Sequence, residues 1–306
     1  MANITSLDGK RIIFIGNSFV YYGQTVLAKG CGEFPTLDAR KNDTGYFYQI
    51  AKANGENVSV TNWTFPDHRF AHLFSGEKCT HQKCQELGIN HLSALTDKYY
   101  DYVILCEGSG LESDEMFAKN IKKIVTLFRD TNPNVKFVYL VHTSSHGYSV
   151  ANIIQQNVLN NLKALERSGF IIVDWGALVK DVGCGAVNVP EGSNDYNKNT
   201  FIVAQNTRDG YHPNQLSGYI TSLMTYCAIT GRSAIGQSYD FCGNKSYNSS
   251  PIYRTFEEYI GKYYTVGKTN YDRVFASKND MRGIQALIDR YLEEKQYRNY
   301  DFGTEN

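Results

Sequence analysis

Two short stretches of the chain carry residue types that, held together, perform nucleophilic acyl chemistry. The first is Gly16-Asn17-Ser18-Phe19. A glycine closes an apolar run there, and a serine two residues later opens the next helix. That spacing sets a hydroxyl and its own backbone N–H at a helix N-terminus, where partial positive charge stabilises an oxyanion. The plainer alternative is that Ser18 is simply the helix N-cap. The second stretch is Asp209-Gly210-Tyr211-His212. A carboxylate three residues before an imidazole can accept from Nδ1 and leave Nε2 free to take a proton from a serine. By itself that spacing is also common in surface loops.

The elements that must position these residues can be read from apolar periodicity. Arg11 to Ile15 is a continuous apolar run that stops at Gly16, as buried parallel strands do. Tyr46 to Ala53 has helical spacing and ends near Gly55, and Val58 to Trp63 follows as a strand. Tyr102 to Cys106 is the third strand, and Glu115 to Arg129 is an amphipathic helix with Phe117, Ile121, Ile124, Val125 and Phe128 on one side. Val135 to Val141 is strand four, Val150 to Arg167 a helix closed by Gly169, and Phe170 to Asp174 strand five. Pro213 is expected in the first turn of a helix running to about Thr230. Five strands alternating with helices imply a parallel sheet covered on both faces, with its site at the carboxyl ends of the strands. Residues 1–306 read as one elaborated α/β domain, with a core over about 10–230. A C-terminal extension over about 233–306 ends in a helix near Asp280 to Glu294.

Together the two blocks resemble the SGNH (GDSL-type) hydrolase superfamily, in which the nucleophile block follows strand one and an Asp-x-x-His block lies near the C-terminus. The segment Ile13-Phe14-Ile15-Gly16-Asn17-Ser18-Phe19, with Gly-Asn-Ser in place of Gly-Asp-Ser, is similar to a bacterial branch of largely uncharacterised members, as is the strand Tyr100 to Leu105. The resemblance implies a three-layer α/β/α sandwich around a central five-stranded parallel sheet, flavodoxin-like. It also implies a triad of Ser18 as nucleophile, His212 as general base then acid, and Asp209 as its orienter. The middle blocks depart from the family. Where the branch has Phe-Gly-Gly-His, this chain reads Phe65-Pro66-Asp67-His68, and Pro66 has no N–H to donate. Where the branch places Gln before Glu, this chain has Cys106 before Glu107, and a thiol is a poor replacement for an amide donor. The oxyanion and substrate-binding positions implied are Ser18, Asp67, Cys106, Glu107 and His68. Loss of one oxyanion donor typically slows such a reaction about 100- to 1,000-fold.

Other groups of polar residues lie outside these two blocks. His68 and His72 are four apart, as helical metal ligands can be, but no Glu stands between them in the zincin position, so no metal is expected. His142 and His146 end strand four and would contact substrate or sit in a solvated loop. Cys79 and Cys84 bracket the loop Thr80-His81-Gln82-Lys83, open to a disulfide, free thiols or a metal site with His81. Cys106 and Cys227 lie in apolar segments and read as small buried hydrophobes. No Walker or dinucleotide glycine pattern follows strand one, and no cofactor is implied.

Composition excludes several other classes. The 31 Lys and Arg balance the 31 Asp and Glu, so the chain lacks the basic excess of a nucleic-acid binder. With 42% hydrophobic and 20% charged residues it has the make-up of a globular rather than a disordered chain. No apolar run approaches the roughly 18–20 residues that span a bilayer, so no membrane association is expected. Met1 to Asp8 has neither the basic nor the apolar region of a signal peptide. Analogy with glycan-active relatives nevertheless favours a secreted or cell-surface setting over the cytoplasm. The 23 tyrosines against 2 tryptophans suit core edges and sugar-binding surfaces alike. The expected activity is a serine esterase removing short acyl groups, above all acetyl, from a small-molecule or polysaccharide ester. The alternatives are a catalytically impaired carbohydrate-binding relative and a sugar O-acyltransferase. Nothing in the sequence sets an oligomeric state.

Overall fold

Five short runs form the strands, four of them dominated by apolar residues, and every neighbouring pair is parallel. The computed structural model describes residues 4–21, 23, 25–26, 45–64, 68–74, 99–108, 114–142, 155–183, 185–192, 213, 215–239 and 278–294. The strands are β1 (Arg11–Gly16), β2 (Ser59–Thr64), β3 (Tyr102–Leu105), β4 (Lys136–Leu140) and β5 (Ile171–Val173), in the order β2-β1-β3-β4-β5. In β1, Ile13 stands opposite Thr61 on one side and Val103 on the other. The chain leaves β1 toward β2 and then returns to the other side of β1 for β3. That reversal opens a crevice at the carboxyl end of β1, the general place for a ligand site in such sheets.

Both faces of the sheet are buried, which is why β1, β3, β4 and β5 read as apolar runs, while β2 buries Thr61, Asn62 and Thr64 beside Val60 and Trp63. Ile12 and Phe14 point to one face, Ile13 and Ile15 to the other, and all four are wholly buried. The first face packs with Val60, Ile104 and Leu140 against α1 (Ser18–Tyr21), α2 (Tyr46–Ala53), α5 (Trp175–Gly183), α6 (Gln215–Thr230) and α7 (Lys278–Glu294). The second packs with Val103, Phe137 and Ile172 against the 3-10 turn Phe70–Leu73, α3 (Asp114–Thr131) and α4 (Gln155–Arg167). The result is a three-layer α/β/α sandwich.

Helix α6 is covered nearly all round, despite its many hydroxyls. Thr221, Ser222, Thr225 and Thr230 each donate to the carbonyl four residues back, at 2.6–2.8 Å, so no hydroxyl among them is stranded away from water. Helix α7 buries a stripe of Met281, Ile284, Leu287, Ile288 and Tyr291 in the same core. Polar contacts hold it there: Gln285 Nε2 donates to Tyr219 Oη at 3.1 Å and to the Gln237 carbonyl at 2.7 Å, and Tyr291 Oη donates to Asp181 at 2.6 Å. Beneath α6, the buried Glu56 carboxylate accepts from the Leu7 N–H at 3.1 Å and the Tyr226 hydroxyl at 2.8 Å, with Arg232 3.8 Å away.

Two features differ from the sequence expectation. Helix α6 begins at Gln215, and Pro213 lies ahead of it in an isolated strand bridge instead of in its first turn. The fixed φ of proline suits extended backbone as well as helix, and it biases the residue before it toward extended geometry. Helix α5 follows β5 directly and was missed as an element. Its signal is Asp174, whose Oδ1 accepts the Ala177 N–H at 3.0 Å, a carboxylate N-cap three residues ahead of its donor.

Candidate active site

Strand β1 delivers Ser18 to the carboxyl edge of the sheet, beside the crevice between β1 and β3. The turn that does this is tight. A Cβ on Gly16 would lie 3.0 Å from the Cys106 carbonyl oxygen and 3.1 Å from both Cys106 Cβ and Val20 Cγ2, so only a glycine lets β1 and β3 end this close together. Helix α1 starts at once, and Asn17 caps it. Asn17 Oδ1 accepts the Phe19 N–H at 3.0 Å, and its carbonyl accepts the Val20 N–H at 2.9 Å.

That assignment decides between the two readings of Ser18. Since Asn17 is the N-cap, Ser18 is the first residue of the helix and its hydroxyl is not used for capping. Neither the hydroxyl nor the N–H of Ser18 is hydrogen-bonded to another described residue. The N–H is one of the donors that every helix start leaves over. Ser18 keeps 7% of its surface exposed while Asn17 beside it keeps 1%. A free hydroxyl and a free N–H on one residue are what a nucleophile needs if it is also to hold the oxyanion it creates.

The neighbouring strand ends close around this turn. Asn17 Nδ2 donates to the carbonyls of His68 at 3.2 Å and Cys106 at 3.3 Å. Glu107, buried at the end of β3, accepts the Phe70 N–H at 3.1 Å and the Gly108 N–H at 2.6 Å. His68 is buried beside the turn. The Cys106 side chain belongs to the core cluster beneath α1, and burial, followed by the charge of Glu107, pushes its thiol well above the usual range. A thiol so placed is a packed hydrophobe, and what it offers the site is its backbone carbonyl. His142, just past β4, is buried and stacks on the Phe19 ring at 3.9 Å between centroids and 14° between planes. It therefore supports α1 from below and is not part of a solvated loop.

Of the residues expected here, the structure brings together Ser18, His68, Cys106 and Glu107. Asp67, Asp209 and His212 lie outside the described residues, as do His146, Cys79 and Cys84. His68 precedes the 3-10 turn that contains residue 72, so positions 68 and 72 do not share an α-helical face. Among the described residues no group of three or more His, Cys, Asp or Glu is arranged to hold a metal ion. A separate cleft of about 630 Å³, lined by Phe170, Ile172, Met224, Cys227, Arg232 and Tyr291 among others, contains none of the candidate residues. The residue that sequence reasoning missed is Asn17.

No protein-family model matches the chain, and no curated protein does. Solved structures do match its fold. A DUF4886 family protein from Bacteroides uniformis is similar at a TM-score of 0.54 and 11% identity, over 94% of this chain and 95% of that one. A candidate GDSL-like lipase from Parabacteroides merdae is similar at a TM-score of 0.46 and 14% identity, over 75% of this chain and 99% of that one. A candidate SGNH hydrolase from Slackia heliotrinireducens is similar at a TM-score of 0.43 and 15% identity, over 74% and 100%. At a TM-score of 0.54 over nearly the whole of both chains, the fold of this chain is shared with the DUF4886 family protein, at 11% identity.

Proposed function

We propose that the chain is a serine esterase that removes short acyl groups, above all acetyl, from carbohydrate. The observation that carries this reading is Ser18 itself. Its neighbour caps the helix, 7% of its own surface reaches solvent, and its hydroxyl and N–H are uncommitted among the described residues. In the reaction His212 takes the proton from Ser18 Oγ, and Oγ attacks the ester carbonyl. The tetrahedral oxyanion then collapses as His212 protonates the departing alcohol. Water, deprotonated by the same imidazole, next attacks the acyl-enzyme and releases the acid. Asp209 holds the imidazole in the tautomer that both steps need. The Ser18 N–H is one oxyanion donor. Asp67, through its N–H, Glu107 and His68 are the other residues assigned to the oxyanion and substrate side. A sugar hydroxyl in place of water would make the same site an acyltransferase. A secreted or cell-surface setting suits a polysaccharide substrate, and no described helix is long and apolar enough to cross a membrane.

A second reading, a lapsed enzyme that binds carbohydrate, is favoured by one observation. Pro66 lacks an N–H and the Cys106 thiol is packed in the core, so two family oxyanion positions lack their usual donors. Wild type and Ser18→Ala, assayed side by side on p-nitrophenyl acetate and acetylated xylan, test both. Release by wild type alone, unchanged by EDTA, supports the esterase. Activity that survives in Ser18→Ala removes Ser18 from the mechanism. No release by either, with no labelling of Ser18 by a fluorophosphonate, favours the binding protein.

A further inference from the structure

Asn17 has no part in the acyl transfer just described, yet it is among the most constrained side chains at the site. It is 1% exposed, and all its polar atoms on the side chain are engaged. Nδ2 uses its two hydrogens on two carbonyls, those of His68 after β2 and Cys106 after β3, 51 and 89 residues away in sequence. Oδ1 accepts the Phe19 N–H of α1. One side chain thus ties the ends of β1, β2 and β3 together around Ser18. We propose that Asn17 is a positioning residue whose uncharged amide fixes Ser18 against the two loops that follow β2 and β3; its role in turnover rests on the reading of Ser18 as the nucleophile.

The residue type follows from the partners. Two carbonyls and one N–H require two donors and one acceptor on a short side chain, and only asparagine supplies them. Aspartate accepts but does not donate when ionised, serine has a single donor, and leucine has none. Position 108 is crowded beside the same carbonyl. A Cβ on Gly108 would lie 3.1 Å from the His68 carbonyl oxygen and 3.2 Å from Arg69 Cγ, with Asn17 Nδ2 in ordinary contact at 3.7 Å. With both hydrogens on carbonyls, the amide is not itself an oxyanion donor. It acts through geometry, by holding the Ser18 N–H and hydroxyl in register with whatever the two loops present to substrate.

An isosteric carboxylate tests the assignment, because it would face two carbonyl oxygens and fit only when protonated. The charged or titratable side chains on the described segments packed around Asn17 are His68, Arg69, Cys106, Glu107 and, beneath Phe19, His142. Glu107 opposes a second negative charge and Arg69 favours it, while burial opposes it strongly. An aspartate at position 17 would therefore hold its proton in the folded state to a pH above its unfolded pKa of about 3.9. The unfolded chain then releases a proton that the native chain keeps, and stability falls as pH rises from about 4.

The experiment uses the full chain as wild type, Asn17→Asp and Asn17→Ala. Thermal unfolding is compared at about pH 5 and about pH 8. The stability deficit of Asn17→Asp should be larger at the higher pH, and that of Asn17→Ala the same at both. If Asn17→Ala does not fold, Asn17→Ser is the uncharged reference. In parallel, fluorophosphonate labelling of Ser18 in each folded variant should be slower than wild type by on the order of 100-fold, as a displacement of about 1 Å entails. The ratio of Asn17→Asp to wild type should recover at the lower pH. A deficit independent of pH in Asn17→Asp overturns the clamp. Labelling at the wild-type rate in a folded Asn17→Ala overturns the positioning role. Wild type that does not label at any pH removes the esterase reading and the role in turnover with it, and the pH-dependent deficit still decides the clamp.

Discussion

Both carboxylate oxygens of Glu107 face the Phe70 N–H, at 3.1 and 3.2 Å, so the end of β3 grips the start of the 3-10 turn that comes after β2 in the chain. The same carboxylate accepts the Gly108 N–H at 2.6 Å. Glutamine at this position turns one acceptor into a donor that must face another donor. Glu107→Gln should destabilise the fold by about 1–3 kcal/mol, the typical cost of leaving a buried polar group unpaired. Ester turnover should fall with it, because the segment after β2 loses its anchor. The urea midpoint and the rate on p-nitrophenyl acetate check this, and an unchanged midpoint means the turn is held by other contacts.

Gly16 leaves no room for a methyl group. In Gly16→Ala the new Cβ meets a backbone oxygen at 3.0 Å, and backbone yields less readily than the end of a side chain. A loss of about 1–3 kcal/mol is expected from the overpacking. Ser18 labelling should also slow, since relief of the clash must move either α1 or the end of β3. Thermal unfolding together with fluorophosphonate labelling measures both effects. A stable variant that labels slowly would show that the strand end moves more easily than the core around it.

The buried Tyr226–Glu56 pair makes the fold sensitive to alkali. Burial and, after it, the hydrogen bond and charge of Glu56 push the Tyr226 hydroxyl well above its ordinary range. The folded chain therefore keeps a proton that the unfolded chain releases above about pH 10. Stability is fully present below that pH and declines as pH rises through it. Tyr226→Phe should cost about 1–3 kcal/mol near neutrality, because Glu56 loses a donor. It should also show a smaller further loss between about pH 8 and about pH 10.5 than wild type does. Urea midpoints at the two values test the difference. An equal loss in both proteins would assign the alkaline sensitivity to other groups, such as Tyr291, whose hydroxyl is also pushed up by burial and Asp181.

Cys106 and Cys227 should be silent toward thiol reagents in the native protein. Both are buried and unpaired, and burial raises both thiols so that little of the reactive thiolate forms near neutrality. Iodoacetamide followed by peptide mapping should find neither modified until urea is added. Modification of Cys106 in the folded protein would mean that the end of β3 opens in solution.

Much of this architecture was legible because it is written locally. Strands β1, β3, β4 and β5 are buried on both faces and so read as apolar runs. The helices α2, α3 and α7 carry stripes that need only a count along the chain. Helix α5 escaped because it is short and starts the moment β5 ends, leaving Asp174 as its single punctuation. On α7 the stripe of Met281, Ile284 and Leu287 lies in the main cluster of the first face.

At the turn around Ser18, local information ran out. Asn17 and Ser18 are both good helix caps, and no count of spacings ranks one over the other. What ranks them is a pair of carbonyls, on His68 and Cys106, brought to Asn17 by two crossovers of a parallel sheet. Periodicity along the chain thus determined which segments are strands and helices, and the two blocks singled out a serine and an Asp-x-x-His. The tertiary structure alone decided that the asparagine caps the helix and binds two distant carbonyls, so that the serine hydroxyl is uncommitted among the described residues. Burial of an apolar face depends on neighbours three or four residues away, whereas a buried amide takes its partners from wherever the fold brings carbonyls within about 3 Å.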